Sequence, residues 1–256
     1  MARLSVNPAS SLPPTASGGE AKIRIEDAPF TLVPGTGGHR ASKLTQRLLT
    51  EMGGVPGILR FTKLFYELVK VDPHLDQFLR DHSDPHGERF ANWIAEKFGH
   101  GTPWSEEKAT RRPKTFISHG HELRCPHDRS SAHFTAWHSP KRSAEDFGKH
   151  FKLDDSRVWM RLHFWALREA GGFERSPAFA QYYIKFIGHF VSIYESSATM
   201  FARDSARWSE NPKNIERYLA NGRVMSDVIG VPLSRAVRDL PSSEANDHVW
   251  PYPYRR

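Results

Sequence analysis

The stretch VPGILRFTKLFYELVKV, residues 55–71, decides the fold class. Ile58, Phe61, Leu64, Phe65, Leu68 and Val69 recur at three- and four-residue spacing, which lines one face of an α-helix and neither face of a strand. Gly53-Gly54 breaks the chain before this helix, and Asp72-Pro73 turns it afterwards, because a residue that precedes proline is driven out of the helical region.

The same period recurs on both sides. Residues 42–52 read as a short helix that ends at the glycine pair. Asp84-Pro85-His86 is a helix start, with Asp as cap and Pro in the first turn, and it leads into Phe90, Trp93, Ile94 and Phe98 before Gly99-His100-Gly101. Residues 132–138 read as a short helix closed by Ser139-Pro140, and 141–149 as a polar connection. Asp154-Asp155-Ser156 caps a helix that carries Val158, Leu162, Trp165 and Ala166 and stops at Gly171-Gly172. Ser176-Pro177 opens the last strong helix, whose stripe includes Phe179, Tyr182, Tyr183, Phe186, Ile187, Phe190 and Tyr194 and runs on towards Phe201. A weaker helix spans 214–229. Residues 102–130, with Pro103, Pro113, Pro126 and many charges, read as a long loop or insertion. No strand alternation and no repeat stands out, so the expected class is all-α.

Composition sets limits on function. At 38% hydrophobic and 25% charged, the 256-residue chain is that of a globular domain rather than a disordered one. Residues 1–41, rich in Pro, Gly and Ser, read as a tail rather than an organelle-targeting segment, and they lack the apolar stretch of a secretory signal. With one cysteine, Cys125, the chain has no internal disulfide, which suits a reducing compartment; the expected location is cytoplasmic. No run of apolar residues is long enough to cross a membrane. The net charge of +7 is compatible with an anionic partner, but the basic residues are spread among acidic ones and form no polybasic arm, so nucleic acid is not expected.

An ordered set of residues carries the chemistry. Gly53-Gly54, Phe61, Phe65-Tyr66 and Asp72-Pro73 come first; Glu88-Arg89-Phe90, Phe98-Gly99-His100-Gly101, the run from Phe134 to His138, and Arg157-Val158-Trp159 follow. In order and type this set resembles the truncated globins, closest to their second group. The resemblance covers roughly residues 50–195. It implies a globin-like two-over-two helical sandwich, with a domain over 42–206 that holds haem b and extensions at 1–41 and 207–256. It implies axial iron ligation by His138, through a neutral imidazole nitrogen. His133 and His150 are the rival ligands. Phe134 then packs under the porphyrin. On the opposite side Tyr66 and Trp159 match the family's hydrogen-bond donors to a bound diatomic gas, oxygen first, with nitric oxide or carbon monoxide as alternatives. Phe90 lines the same side, and His86 is a second donor or a sixth ligand.

The chain departs from the family in two places. Phe78 and Leu79 fall where the family often has Tyr, and Trp137 stands where it has an Arg before the ligating His. Lys141 and Arg142 are then the cations left for the haem propionates. A haem redox enzyme, of peroxidase or nitric-oxide dioxygenase type, is a further class, although no proton-relay pair for peroxide cleavage stands out. Two readings without haem compete. His119, His121, Cys125 and His127 are zinc-ligand types within one loop, and a cofactor-free helical module would use the basic surface for an anionic partner.

Overall fold

The computed structural model describes residue 30, residues 38–125 and residues 131–240. Among them are eleven α-helices and one two-stranded sheet, so the class is all-α with a small β-hairpin. The helices are α1 (Lys43–Glu51), α2 (Gly54–Val71), α3 (His86–Lys97), α4 (Pro103–Thr110), α5 (Ser131–Trp137), α6 (Leu153–Glu169), α7 (Gly172–Arg175), α8 (Pro177–Val191), α9 (Ala202–Trp208), α10 (Pro212–Ala220) and α11 (Leu233–Arg238). Strands β1 (Lys114–Ser118) and β2 (His121–Cys125) pair antiparallel, with Phe116 opposite Leu123. No helix among the described residues is long and apolar enough to cross a membrane.

The stripe of α2 goes where its period directs it. Ile58, Phe61, Phe65 and Val69 are buried, and α2 packs on α3 and α6. The entry of α3 is tight: a Cβ on Gly87 would stand 3.1 Å from the Lys63 backbone, and Thr62 Oγ1 donates to the Gly87 carbonyl at 2.8 Å. Only glycine lets these two helices approach so closely, and the approach sets Tyr66 beside His86. The start of α6 is fixed by Asp155, whose carboxylate accepts from the Lys152 N–H at 2.7 Å and pairs with His74 at 2.8 Å. Ser176 caps α8 by accepting from the Phe179 N–H, as its sequence suggested.

Four stretches differ from the sequence expectation. The polar segment after residue 102 is not a bare loop: it builds α4 and the hairpin, and Phe116 and Ser118 give the hairpin an inward face. The long α8 stripe stops at Val191 and resumes as a 3₁₀ turn, Ser196–Phe201. The weaker helix expected over 214–229 is confined to α10. The segment expected as a C-terminal extension from 207 onward packs into the core to residue 240, through Tyr218, Met225, Val228, Ala236 and Leu240. Asp72, buried in the turn after α2, accepts from the Tyr218 hydroxyl at 2.8 Å and so ties α10 to that turn.

Most of the expected tail over 1–41 lies outside the described residues, as do His127 and residues 241–256. Two residues of that tail are nonetheless core: Phe30 is buried, and His39 sits among Phe30, Phe98 and Phe186, with Nε2 2.6 Å from the Tyr182 hydroxyl. Burial first, then the charges of Lys97 and His189, lowers the His39 pKa from 6.5 to about 4. The fold therefore accommodates the neutral ring, and protonation favours the unfolded chain. Stability owed to His39 is complete above pH 6.5 and is lost as the pH falls towards about 4. In urea unfolding between neutral pH and about pH 5, the wild type should lose stability relative to His39→Phe; an equal loss in both proteins would acquit His39.

Candidate functional site

Two groups of aromatic and imidazole side chains stand out, one on α2, α3, α6 and α8 and the other on α5 and the connection that follows it. The first is built on α2. Phe61 and Phe65 lie one turn apart and point into the core, so Tyr66, the next residue round the helix, comes to the edge of the same face, half-buried. Its ring stacks on His86 at 5.2 Å, with Phe90 at 6.4 Å. Trp159 of α6 lies 5.1 Å from Phe65 and 6.0 Å from Phe90. Trp93 continues the wall to Phe190 of α8 at 4.7 Å. The structure thus brings Tyr66, His86, Phe90 and Trp159, all named from sequence, into one aromatic cluster.

The electrostatics of this cluster are those of a dry site. Burial pushes the Tyr66 phenol up to about 12, so it keeps its proton and remains a donor. Burial also lowers His86, against the charge of Asp84 and a hydrogen bond to the Asp81 backbone, so its ring is neutral. Among the described residues His86 Nε2 is buried without a hydrogen-bond partner, and neither the Tyr66 hydroxyl nor the Trp159 indole N–H makes a hydrogen bond. Buried polar groups are nearly always paired. Of the three, His86 Nε2 is the buried one left without a partner, and the Tyr66 hydroxyl and Trp159 indole N–H add two donors at the half-buried edge of the same cluster.

The second group is built on α5. Its pairs at helical spacing face different ways. His133 lies 4.3 Å from Tyr194 and 5.8 Å from Phe151, and Trp137 stacks on the exposed His150 at 4.1 Å. Phe134 and His138 form the other pair, with rings 4.2 Å apart, and face Phe147 at 5.1 Å from His138. His138 Nδ1 lies 2.8 Å from the Phe134 carbonyl. A carbonyl only accepts, so Nδ1 carries the ring proton and Nε2 holds the lone pair. Nε2 has no hydrogen-bond partner among the described residues. The neighbouring connection approaches it closely, since a Cβ on Gly148 would lie 3.4 Å away. Gly148 has φ +76° and donates its N–H to the Trp137 carbonyl at 2.9 Å, which holds this connection against α5.

The two cations expected for propionates are engaged by the protein. Arg142 is buried: its Nη1 donates to the Trp137 and Lys149 carbonyls at 3.0 and 2.6 Å, and its guanidinium covers Phe78. Lys141 pairs with Asp76 at 3.0 Å. The zinc reading of the 119–127 loop includes His127, which lies outside the described residues. His121 and Cys125 open and close one strand, which at about 3.3 Å per residue sets them roughly 13 Å apart. Among the described residues the one group spaced to hold a metal is His74, Asp154 and Asp155, in which His74 already pairs with Asp155.

One residue of the site escaped the sequence reading. His163 lies a turn beyond Trp159, is fully buried, stacks on Trp159 at 4.4 Å and has Nε2 3.0 Å from the Tyr183 hydroxyl. The signal was present, a His four residues after the matched Trp on the same helix face, but a buried imidazole breaks the apolar pattern by which cores are recognised. No family model, curated protein or solved structure matches this chain.

Phe65 touches Tyr66, Phe90, Trp159 and His163 from a fully buried position. Phe65→Ala should cost about 3–5 kcal/mol in denaturant unfolding, with loss of the near-ultraviolet signal of the clustered aromatics. A cost below about 1 kcal/mol would show that the cluster is assembled by other contacts.

Proposed function

We propose that this chain binds haem b in the manner of a truncated globin, in a two-over-two arrangement of α2 and α3 with α6 and α8, and that it binds oxygen. The observation that carries the reading is the His138 imidazole. Its Nδ1–H is fixed on the carbonyl one turn back, and its Nε2 lone pair is unengaged. That is the preparation a metal-ligating His needs, because the second-shell hydrogen bond sets the tautomer and the ring orientation. The side chains of the first cluster fit in kind: aromatic rings for a flat apolar group, and unengaged polar atoms for its ligand. The ordered sequence pattern from Gly53 to Trp159 supports the same reading.

When bound, the haem supplies a ferrous iron with affinity for a diatomic gas. The protein supplies the rest. His138 Nε2 would hold the iron, with Phe134 beside the imidazole ring. Tyr66, held protonated by burial, and Trp159 offer donors to a small polar ligand, where water exclusion strengthens each bond. His86 Nε2 is a further polar atom on that side. Binding at His138 Nε2 displaces the connection at Phe147 and Gly148, which now lies against it. With Arg142 and Lys141 engaged elsewhere, the propionates are left to solvent or to a rearranged connection.

Haemin added to the purified protein should be retained through gel filtration, and reduction under carbon monoxide should give a sharp Soret band. His138→Ala should abolish retention or shift the ferrous spectrum, whereas His133→Ala should leave it unchanged. The reverse outcome moves the ligand to His133, and a colourless wild type ends the haem reading. In the loaded protein Tyr66→Phe should speed oxygen release by about fivefold, the loss of a hydrogen bond worth ~1 kcal/mol. An unchanged off-rate makes Tyr66 a packing residue.

A further inference from the structure

His163 is the buried titratable group that gas binding does not use. Its ring stacks on Trp159 at 4.4 Å and 16°, and its edge meets Tyr183, whose ring lies 5.6 Å away with its plane tilted by 17°. Phe61 and Phe65 close its edges at 4.7 and 4.9 Å. His163 and Tyr183 are fully buried, whereas Trp159 is half-buried. The one hydrogen bond His163 makes joins Nε2 to the Tyr183 hydroxyl at 3.0 Å, and Nδ1 has no partner among the described residues. A row of rings of this kind, half-buried at one end and ending on a phenol bonded to a base, has the parts of a proton-coupled electron relay.

We propose that Trp159, His163 and Tyr183 form such a relay, which carries an oxidising equivalent from Trp159 to Tyr183 while His163 Nε2 takes the phenol proton. The electrons and the proton balance as follows. A one-electron oxidant that reaches Trp159, such as an azide radical, removes an electron from the indole and is itself reduced to azide. Tyr183 returns an electron to the Trp159 radical cation across the stack. The Tyr183 O–H bond breaks, and its proton forms a bond with Nε2 along the existing hydrogen bond. The products are neutral Trp159, a Tyr183 phenoxyl radical and a His163 imidazolium. A thiol or ascorbate donor restores the electron, and the proton returns to the phenol oxygen.

The environment suits this exchange in both directions. Burial keeps the His163 ring neutral and the Tyr183 phenol protonated, so base and acid wait in the required states. An oxidised phenol is a strong acid, so even a weak buried base accepts its proton. The imidazolium finds no partner for Nδ1, so the charged state is costly and the pair reverts as soon as an electron arrives. The relay does not depend on haem: it rests on the stack and the 3.0 Å bond alone.

Pulse radiolysis with azide radicals on the full chain tests it. The wild type should show a first-order, concentration-independent conversion of a tryptophan radical into a tyrosine radical, slowed in heavy water. Trp159→Phe and Tyr183→Phe should each remove that phase. His163→Phe keeps a ring in the stack but removes the base, so the phase should slow by about a hundredfold, the range of a lost positioned base, with the initial tryptophan radical yield unchanged. Should His163→Phe fail to fold, the Tyr183→Phe result decides, because that variant keeps every ring. Persistence of the phase in Tyr183→Phe, or an unaltered rate and isotope effect in a folded His163→Phe, overturns the proposal.

Discussion

The contact of α2 with α6 through Phe61, Phe65, Trp159 and His163 is the interaction on which the rest of the structure depends. It buries two phenylalanines against an indole and an imidazole at ring separations of 4.7–5.1 Å. Tyr66, Trp159 and His163 hang from these two helices, and His86 and Phe90 from α3, which α2 positions through Thr62 and Gly87. The contact also carries a cost, because His163 Nδ1 is buried without a partner, and an unsatisfied buried polar atom costs about 1–3 kcal/mol. A leucine there would avoid that cost. The aromatic packing tolerates the imidazole, and the Tyr183 hydroxyl engages its other nitrogen.

Polar fasteners then lock the periphery to this centre. Asp72 accepts from the backbone of His74 and Leu75 and from the Tyr218 hydroxyl, so one buried carboxylate closes the turn after α2 and docks α10. His74 reaches from the same turn to Asp155 at the start of α6. Burial opposes protonation of His74, but the hydrogen bond and charge of Asp155 outweigh it and raise its pKa, so this pair is strongest at lower pH, opposite in sign to His39. Arg161, buried on α6, pairs with Asp227 at 2.7 Å. These ties run from α6 and its neighbours to residues 211–240, so that segment is built into the domain rather than appended to it.

What the sequence made legible follows from what each element needs. The helices α2, α3, α6 and α8 carry long apolar stripes and were placed from them, but the expected Asp84 cap of α3 is not formed, its N-cap being Pro85 with no side-chain hydrogen bond, and α8 ends at Val191 rather than running on towards Phe201. The hairpin was missed because its strands are short and mostly exposed, with Phe116 and Ser118 the inward positions of β1 and no alternation strong enough to register. Tyr66, His86, Phe90 and Trp159 were named from the ordered resemblance rather than from periodicity, since of the four only Phe90 belongs to a stripe. Arg142 was misread because position in sequence says only that a cation is near. Its burial and its two carbonyl partners are set by the fold of the 141–149 connection, which leaves no periodic trace.

The two halves of the site differ in how firmly they are held, and that difference bears on function. The cluster of Tyr66, Phe90 and Trp159 rests on the long helices α2, α3 and α6. α5 has seven residues, too short to be stable by itself. It is held by hydrogen bonds from its surroundings: the Arg142 side chain on the Trp137 carbonyl, the Ser118 hydroxyl on the His138 carbonyl at 2.7 Å, and the Gly148 backbone N–H on the Trp137 carbonyl. Those bonds fix the end of the helix but leave His138 Nε2 unengaged. A ligand that binds Nε2 works against the Phe147–Gly148 contact alone, and the core is not disturbed. α5, which carries the imidazole, is thus a short helix held by hydrogen bonds at its end, whereas Tyr66, Phe90 and Trp159 stand on long helices packed into the core.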